Sequence, residues 1–221
     1  AAEQYNAMLA NATISEGGAS VPPLAYAEQL TVGGVMAYVD IPKINVYLPV
    51  QHGTGAETLE KAVGHVVGTS LPVGGNSTHA VLSAHSGMAS SKLFSDIDQL
   101  AEGDTFYIHV LGEVLAYEVD AVNTVLPTDT SLLQIEEDKD LVTLVTCTPF
   151  GINTHRLLVR GRRITTPDKL KHIRVTSDAI KIEPILTAPI MALPLLLGLL
   201  FWLLFAPSKR SSTKDKTHKT H

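Results

Sequence analysis

The chain has 221 residues, of which 45% are hydrophobic and 18% are charged, so a folded core is expected and disorder is not. The formal net charge is -5, without a long basic block in the expected core region, which argues against a nucleic-acid-binding protein. The single cysteine, Cys147, excludes both an intrachain disulfide and a zinc site built from cysteines.

The first predicted elements are a short helix at residues 5–12 and a loop at residues 13–30, which together form an N-terminal segment, residues 1–30. The loop assignment rests on its two glycines and two paired prolines. A folded domain is predicted at residues 31–166, where short β-rich runs alternate with turn signals. These runs are residues 35–41, 44–50, 80–83, 105–111, 114–125, 141–146 and 156–164.

Gly112-Glu113 is predicted to be the two-residue connection of a hairpin. Within the domain, helices are predicted only at residues 58–63 and 92–100, the second from apolar residues at i, i+3 and i+4 spacing. Many short strands with few helices favour a mainly β fold, a closed β-barrel.

The C-terminal part carries a membrane signature. After a polar connector at residues 167–184, the run from Ile185 to Ala206 is uncharged. As a helix it would be about 33 Å long, against a hydrocarbon core of about 30 Å. The tail at residues 207–221 has five lysines and arginines and one aspartate, and such a bias favours the cytoplasmic side. The sequence therefore predicts a transmembrane helix at residues 185–206, a basic cytoplasmic tail and a domain on the extracellular face of the cell membrane.

Cys147 and Arg156 are separated by a segment that includes Pro149 and Gly151. The runs on either side are predicted to pair as a hairpin, which puts both residues at the loop ends of neighbouring strands. A thiol at a strand end is accessible, and a nearby guanidinium favours the thiolate and donates hydrogen bonds to a developing oxyanion. Taken singly, a lone cysteine is more often a small buried hydrophobe, and a strand arginine a surface charge.

Nine histidines compete for the role of proton carrier. His85 follows the run at residues 80–83, at a strand end entering a loop. His155 adjoins Arg156, although neighbours on one strand point to opposite faces. Spacing alone leaves both open. The remaining candidates in the domain are predicted to be structural or exposed: His52, His65, His79 and His109. No metal-binding role is expected for His218 and His221 in the tail.

The residues around Cys147 resemble the sortase family of cysteine transpeptidases. Residues 143–147, TLVTC, are similar to the Thr-Leu-x-Thr-Cys signature of sortases, and residues 153–161, NTHRLLVRG, to its continuation in class C, the pilus-assembling sortases of Gram-positive bacteria. His85, in LSAHSG, corresponds to the catalytic histidine of the family. Further similarity at residues 38–43, 48–54, 64–78 and 93–104 extends the resemblance over roughly residues 5–164.

The resemblance implies a fold and a set of site residues. The fold is a closed eight-stranded sortase-type β-barrel with a few short helices, and the C-terminal membrane helix fits class C as well. Cys147 is implied as the nucleophile, His85 as the acid and base, and Arg156 as the stabiliser of the oxyanion. Candidate substrate-binding residues are Ser83, Thr146 and Asn153. No metal or other cofactor is implied.

The implied reaction cleaves a Leu-Pro-x-Thr-Gly-like sorting signal through a thioester on Cys147 and passes it to a lysine amine of another pilin subunit. The implied partners are pilin subunits with such signals and acceptor lysines, and the lipid membrane, but no nucleic acid. A sortase that anchors surface proteins to peptidoglycan is the alternative within the family. A cysteine protease and a non-catalytic surface-anchored binding module are alternatives of other classes.

The sequence departs from the class C pattern at two places. Class C enzymes usually carry an N-terminal lid with Asp-Pro followed by an aromatic residue, whereas residues 17–30 read GGASVPPLAYAEQL. We therefore expect no functional lid, with Tyr26 as the one candidate to cover the site. The residue after His85 is Ser86, where class C relatives often have arginine.

Overall fold

The computed structural model describes residues 1–16, 26–86 and 92–171. Within these ranges eight strands form a closed barrel, and the helices are short apart from the first. The strands are β1 (Ala37–Ile41), β2 (Val46–His52), β3 (Val63–His65), β4 (Thr78–Ser83), β5 (Thr105–Val110), β6 (Glu113–Val125), β7 (Asp140–Thr148) and β8 (His155–Ile164). The α-helices are α1 (Ala2–Glu16), α2 (Ala56–Leu59) and α3 (Asp168–Lys171), and 3-10 turns lie at Val32–Gly34, Pro42–Ile44, Ile97–Gln99 and Ser131–Leu133.

The strands follow one another around the barrel in the order β1-β2-β3-β4-β7-β8-β6-β5, and β5 returns to β1. Neighbours are antiparallel except for two pairs, β2 with β3 and β4 with β7. The expected mainly β, closed eight-stranded barrel is thereby confirmed. Because β4 and β7 are parallel, their C-terminal ends emerge at the same edge of the barrel.

Alternation of side chains places the core inside the barrel. In β1 the buried residues Ala37, Val39 and Ile41 alternate with partly exposed Tyr38 and Asp40, as expected for a strand with one solvated face. Strand β7 differs, since its residues from 141 to 146 are all buried. Its inner side chains join the main core, and its outer face is covered by the β6–β7 connection, residues 126–139. That cover explains why β7 reads as a nearly continuous apolar run.

Two predicted helices were wrong in part. The pattern at residues 92–100 arises from turns and the 3-10 segment Ile97–Gln99, where Leu93 adopts a φ of 35°. Its apolar residues are nevertheless buried, so the spacing identified core contacts but not an α-helix. The helix predicted at residues 58–63 is the single turn α2, and Val63 instead begins β3, paired with Val50. A three-residue strand is too short to show an alternating pattern.

The hairpin between β5 and β6 turns one residue earlier than predicted. Leu111 and Gly112 are its two central residues, with φ angles of 51° and 82°. Two successive positive φ values match the mirror-image turn that suits the twist of a two-residue hairpin. The helix predicted at residues 5–12 is also present but longer, spanning Ala2–Glu16.

The predicted membrane segment from Ile185 to Ala206 and the basic tail lie outside the described residues. Within the part of the chain that is described, no helix is both long enough and apolar enough to cross a bilayer. The predicted connector begins with α3, and the rest of it also lies outside the described ranges.

The N-terminal segment is fastened to the barrel through Tyr26 and His65. The Tyr26 hydroxyl lies 3.0 Å from Nδ1 of His65 and accepts a hydrogen bond from the Gly53 N–H at 3.1 Å. Nε2 of His65 lies 2.8 Å from the Ser70 carbonyl, which only accepts, so that nitrogen carries the proton of the neutral ring. Burial lowers the pKa of His65 from 6.5 to about 4.

This buried histidine predicts a loss of stability in acid. The unfolded chain takes up a proton at His65 near pH 6.5, whereas the folded chain does so only near pH 4. The free energy of unfolding should therefore fall as the pH drops from 6.5 to 4, by as much as about 3 kcal/mol from this residue. Denaturant unfolding at half-unit pH steps measures the slope. His65→Gln keeps an N–H for the Ser70 carbonyl but does not titrate, so its slope should be shallower; equal slopes would contradict the assignment.

Candidate active site

Cys147 and Arg156 lie directly opposite one another on two neighbouring strands. Cys147 is the penultimate residue of β7, Arg156 is the second residue of β8, and the two are paired in the antiparallel ladder. Directly opposed residues of such a ladder share a face of the sheet. The thiol, which is free, and the guanidinium therefore lie on the same, outer face of the barrel, and both residues are half-buried.

His85 reaches the same edge from β4, on the other side of β7. The parallel ladder pairs Ser83 with Val145, and it continues with a hydrogen bond of 3.1 Å from the Ala84 N–H to the Val145 carbonyl. His85 is two residues beyond Ser83, as Cys147 is two residues beyond Val145. The register thus brings His85 level with Cys147 at the C-terminal ends of the two strands.

Two hydrogen bonds hold the segment that carries His85. The Phe94 N–H donates to the carbonyl of His85 at 3.1 Å. The hydroxyl of Ser86 donates to the carbonyl of Cys147 at 2.7 Å. Ser86 therefore ties the chain after β4 to the residue that bears the thiol.

The structure separates the two histidines that spacing left open. His155 pairs with Thr148, one position along from Cys147, so it belongs to the opposite face of the sheet. Its Nδ1 lies 2.9 Å from the hydroxyl of Thr154. His85 lines the cleft that contains Cys147, and His155 does not.

The cleft has a volume of about 420 Å³, within the range of roughly 300–1,000 Å³ common for ligand sites. Its floor is an apolar cluster on the outer face of the barrel: Val81, Val145 and Leu158, packed against Val66, Val125 and Leu133. All of these except the fully buried Val81 line the cleft. Of the predicted site residues, five line it: Ser83, His85, Thr146, Cys147 and Arg156. An apolar floor with a few polar groups at one end suits an extended peptide with small or aliphatic side chains.

The predicted substrate-binding residues take different positions. Ser83 is half-buried at the cleft, whereas the Thr146 hydroxyl donates to the Ala84 carbonyl at 2.8 Å and so braces β7 against the end of β4. Asn153 does not line the cleft. Its carbonyl accepts a hydrogen bond from Nη1 of Arg156 at 3.2 Å, and its φ is 60°. Asparagine tolerates this left-handed conformation better than most residues do, so Asn153 shapes the loop that holds Arg156.

A wall of the cleft comes from the β6–β7 connection, which the sequence reasoning missed. It supplies Pro127, Asp129, Thr130 and Leu133. The Asp129 carboxylate accepts hydrogen bonds from the hydroxyl of Ser131 at 2.7 Å and its N–H at 3.0 Å, and these bonds lower the pKa of Asp129. Asp129 therefore adds a negative charge to the cleft lining, which also includes Arg156. The Asp-x-Ser spacing, typical of a side-chain-capped turn, is the signal that was available.

Tyr26, the candidate cover for the site, is buried elsewhere. It packs against Tyr5 and His52 in addition to His65, and it does not line the cleft. The rest of the expected lid region, residues 17–25, lies outside the described residues.

A second, larger concavity of about 1010 Å³ lies at the opposite end of β4 and β7. It is lined mainly by charged and polar residues, among them Asp140, Arg162 and Arg163. None of the predicted site residues reaches it, so its size does not make it the better candidate for cysteine chemistry.

Comparison with known proteins points to one family. The sequence model of the sortase domain matches residues 39–164. Sortase D of Bacillus subtilis is 32% identical over 136 residues, which cover 60% of this chain and 66% of that protein, just under two thirds of its length. A lid mutant of sortase C1 from Streptococcus agalactiae is 45% identical with a TM-score of 0.72, over 76% of this chain and 87% of that one.

Sortase C of Streptococcus pneumoniae, studied for its catalysis and pilin substrate specificity, is 48% identical with a TM-score of 0.61. That likeness covers 62% of this chain and 70% of the other. The solved structures that this chain resembles therefore include class C sortases, and the chain belongs to the sortase family.

Proposed function

We propose that this protein is a cysteine transpeptidase in which Cys147 is the nucleophile, His85 the proton carrier and Arg156 the stabiliser of the oxyanion. The observation that carries the proposal is the meeting of these three side chains in one cleft, from the ends of three neighbouring strands. A thiol, an imidazole and a guanidinium are the parts that acyl transfer through a thioester requires.

The first half of the reaction forms the thioester. The Cys147 thiolate attacks the threonine carbonyl carbon of a Leu-Pro-x-Thr-Gly-like signal, and the carbonyl electron pair moves onto oxygen. Arg156 stabilises that oxyanion. As the tetrahedral intermediate collapses, the C–N bond to glycine breaks, and the His85 imidazolium gives its proton to the departing amine.

The second half transfers the acyl group. An incoming amine attacks the thioester carbonyl, and His85, now neutral, takes the proton that the amine loses. The C–S bond then breaks and the Cys147 thiolate returns. Asp129, ionised in the cleft wall, provides a charge that attracts a cationic amine to the cleft, and the amine attacks once it has released a proton to solvent and become neutral.

We propose that the incoming amine is a lysine side chain of a pilin subunit, so that the product is an isopeptide-linked polymer. The study of pilin substrate specificity in the Streptococcus pneumoniae relative supports this choice. The alternative within the family is a peptidoglycan amine, which the same three side chains would serve equally well. Acceptor choice, and not the site chemistry, separates the two.

We further propose that the segment from Ile185 to Ala206 anchors the protein in the cell membrane. Its length and lack of charge suit a bilayer, and the basic residues that follow favour a cytoplasmic tail. The barrel would then work on the extracellular face, where sorting signals and pilin subunits are available to it.

Matched histidine variants test the catalytic assignment. His85→Gln should lower the rate of Leu-Pro-x-Thr-Gly peptide cleavage by about 10²–10⁴, because a positioned acid and base is lost. Arg156→Ala should cost about 10²–10³, as expected for loss of an oxyanion donor. His155→Gln, on the opposite face, should stay within a few-fold of wild type. Chromatographic assay of the peptide fragments measures all three, and equal losses for His85 and His155 would overturn the choice of His85.

Incubation with a purified pilin tests the proposed acceptor. The 221-residue chain should convert a pilin that carries a sorting signal into a ladder of covalent species on a denaturing gel, and Cys147→Ala should form none. A different result would favour the wall-anchoring alternative: the peptide is cleaved in a Cys147-dependent way and transferred to a peptidoglycan-type amine, but no ladder forms. Absence of both activities would contradict the catalytic assignment itself.

A further inference from the structure

A fully buried histidine lies beneath the cleft and joins the β6–β7 connection to the barrel. His79, on β4, is 1% exposed. Its Nδ1 lies 2.7 Å from the carbonyl of Gln134 in the connection, and its Nε2 lies 2.7 Å from the hydroxyl of Thr143 on β7. A carbonyl only accepts, so Nδ1 carries the proton, and the bare Nε2 accepts from Thr143. One neutral tautomer therefore satisfies both partners.

An ion-pair cluster also holds the β6–β7 connection, at a point two residues after Gln134. Arg160 on β8 binds both carboxylate oxygens of Asp120, at 2.9 and 3.0 Å, and reaches Glu136 of the connection at 2.7 Å. Glu136 also pairs with Lys139. The paired, partly buried geometry of Arg160 is the kind in which an ion pair holds its position.

The hydrogen bonds of His79 and the ion pairs of Arg160 support the wall of the cleft, because they lie on the same outer face of the barrel as that wall. Alternation along the strands puts His79, Val81 and Ser83 of β4 on one outer face, with Thr143, Val145 and Cys147 beside them on β7. Leu133, the neighbour of Gln134, packs on the apolar floor formed by Val81, Val145 and Leu158. Movement of Gln134 would therefore carry Leu133, and with it the cleft wall.

The charge state of His79 suits a fixed support. Burial lowers the pKa of His79, and the guanidinium of Arg160 lowers it further, against the opposing effects of the Gln134 carbonyl, Glu136 and Asp120. His79 is consequently neutral at pH 7, and both of its hydrogen bonds keep one direction. A protonated ring would present a second N–H to Thr143 and force that hydroxyl to turn round.

We propose that His79, through Thr143 and the Gln134 carbonyl, is a positioning residue that holds the β6–β7 connection in place as the cleft wall and thereby sets the affinity for the donor peptide. The proposal rests on the proposed function, since the ligand is the sorting-signal peptide of the transpeptidation reaction. It adds a determinant of peptide affinity that never touches the reacting atoms. Loss of the support should weaken peptide binding and leave the chemistry at Cys147 intact.

The test compares KM, kcat and the rate of amide hydrogen exchange in the β6–β7 connection, all measured in the 221-residue chain and its variants. His79→Leu removes both hydrogen bonds and should raise KM for a Leu-Pro-x-Thr-Gly peptide about tenfold, with kcat within about threefold of wild type. His79→Asn keeps an N–H near the Nδ1 position and should restore KM to within about threefold. Hydrogen exchange of residues 126–139 should be faster in His79→Leu than in wild type, at amides such as Asp129 and Leu133 that bond within the connection.

A matched control is His109→Gln, which alters another buried histidine, on β5, whose Nε2 faces Asp40 and which does not line the cleft. It should leave KM and the exchange of residues 126–139 unchanged. An equal rise in KM in this control would overturn the proposal, as would wild-type KM and exchange in His79→Leu.

Two milder substitutions, which carry little risk of misfolding, provide a second test of the same proposal. Thr143→Val removes one hydroxyl and Glu136→Gln weakens the ion pairs of Arg160; each should raise KM about threefold and speed exchange in the connection. Wild-type values in both would overturn the proposal even if His79→Leu does not fold. If the wild-type chain cleaves no peptide, the proposed function fails, while loop exchange in the same variants still decides whether His79 holds the connection.

Discussion

The parallel pairing of β4 with β7 is the constraint on which the rest of the site depends. It aligns Ser83 with Val145, and the two residues that follow on each strand then bring His85 beside Cys147. The register cannot slip by one residue without turning the inward side chains of β7, Val142 and Leu144, out of the core and the thiol into it. The packing that stabilises the barrel therefore also positions the thiol of Cys147 and the imidazole of His85, the proposed nucleophile and proton carrier.

The outer face of this sheet is built in three levels along the strands. The polar residues of the cleft lie at the C-terminal ends of β4 and β7, and the apolar floor comes next along the strands. The buried His79 and the ion pairs of Arg160 lie furthest from those ends. Each level needs the β6–β7 connection, because an apolar floor and a buried imidazole would both be costly if exposed or unpartnered. The same cover leaves β7 buried on both faces, which few antiparallel barrel strands are.

Local sequence pattern predicted the strands of the C-terminal half to within two residues, because β5 to β8 are long enough to show β-rich runs between clear turns. The pattern failed at β3, whose three residues are too few, and at residues 92–100, where helical spacing came from a 3-10 turn. Spacing left His85 and His155 open, and the sequence-based choice of His85 came from the family resemblance alone. Its structural basis is a parallel pairing between segments about 60 residues apart, which no local spacing signal contains. The cleft wall at residues 126–139 was missed because it is irregular backbone, positioned by a histidine that looks ordinary in the sequence.

The histidines of the domain divide by burial into two kinds of chemistry. His65 and His79 each give one N–H to a carbonyl and accept one hydroxyl, and burial lowers the pKa of both, so they stay neutral and fixed. Such a ring is a rigid connector, and it is unsuited to exchange protons because a proton added to the bare ring nitrogen would force its hydroxyl partner to turn round and accept. A catalytic histidine must instead gain and lose a proton in every cycle, which requires access to the substrate. His85 is half-buried and lines the cleft, so the fold leaves this ring accessible from the cleft, as the proposed role requires, while the buried rings act as supports.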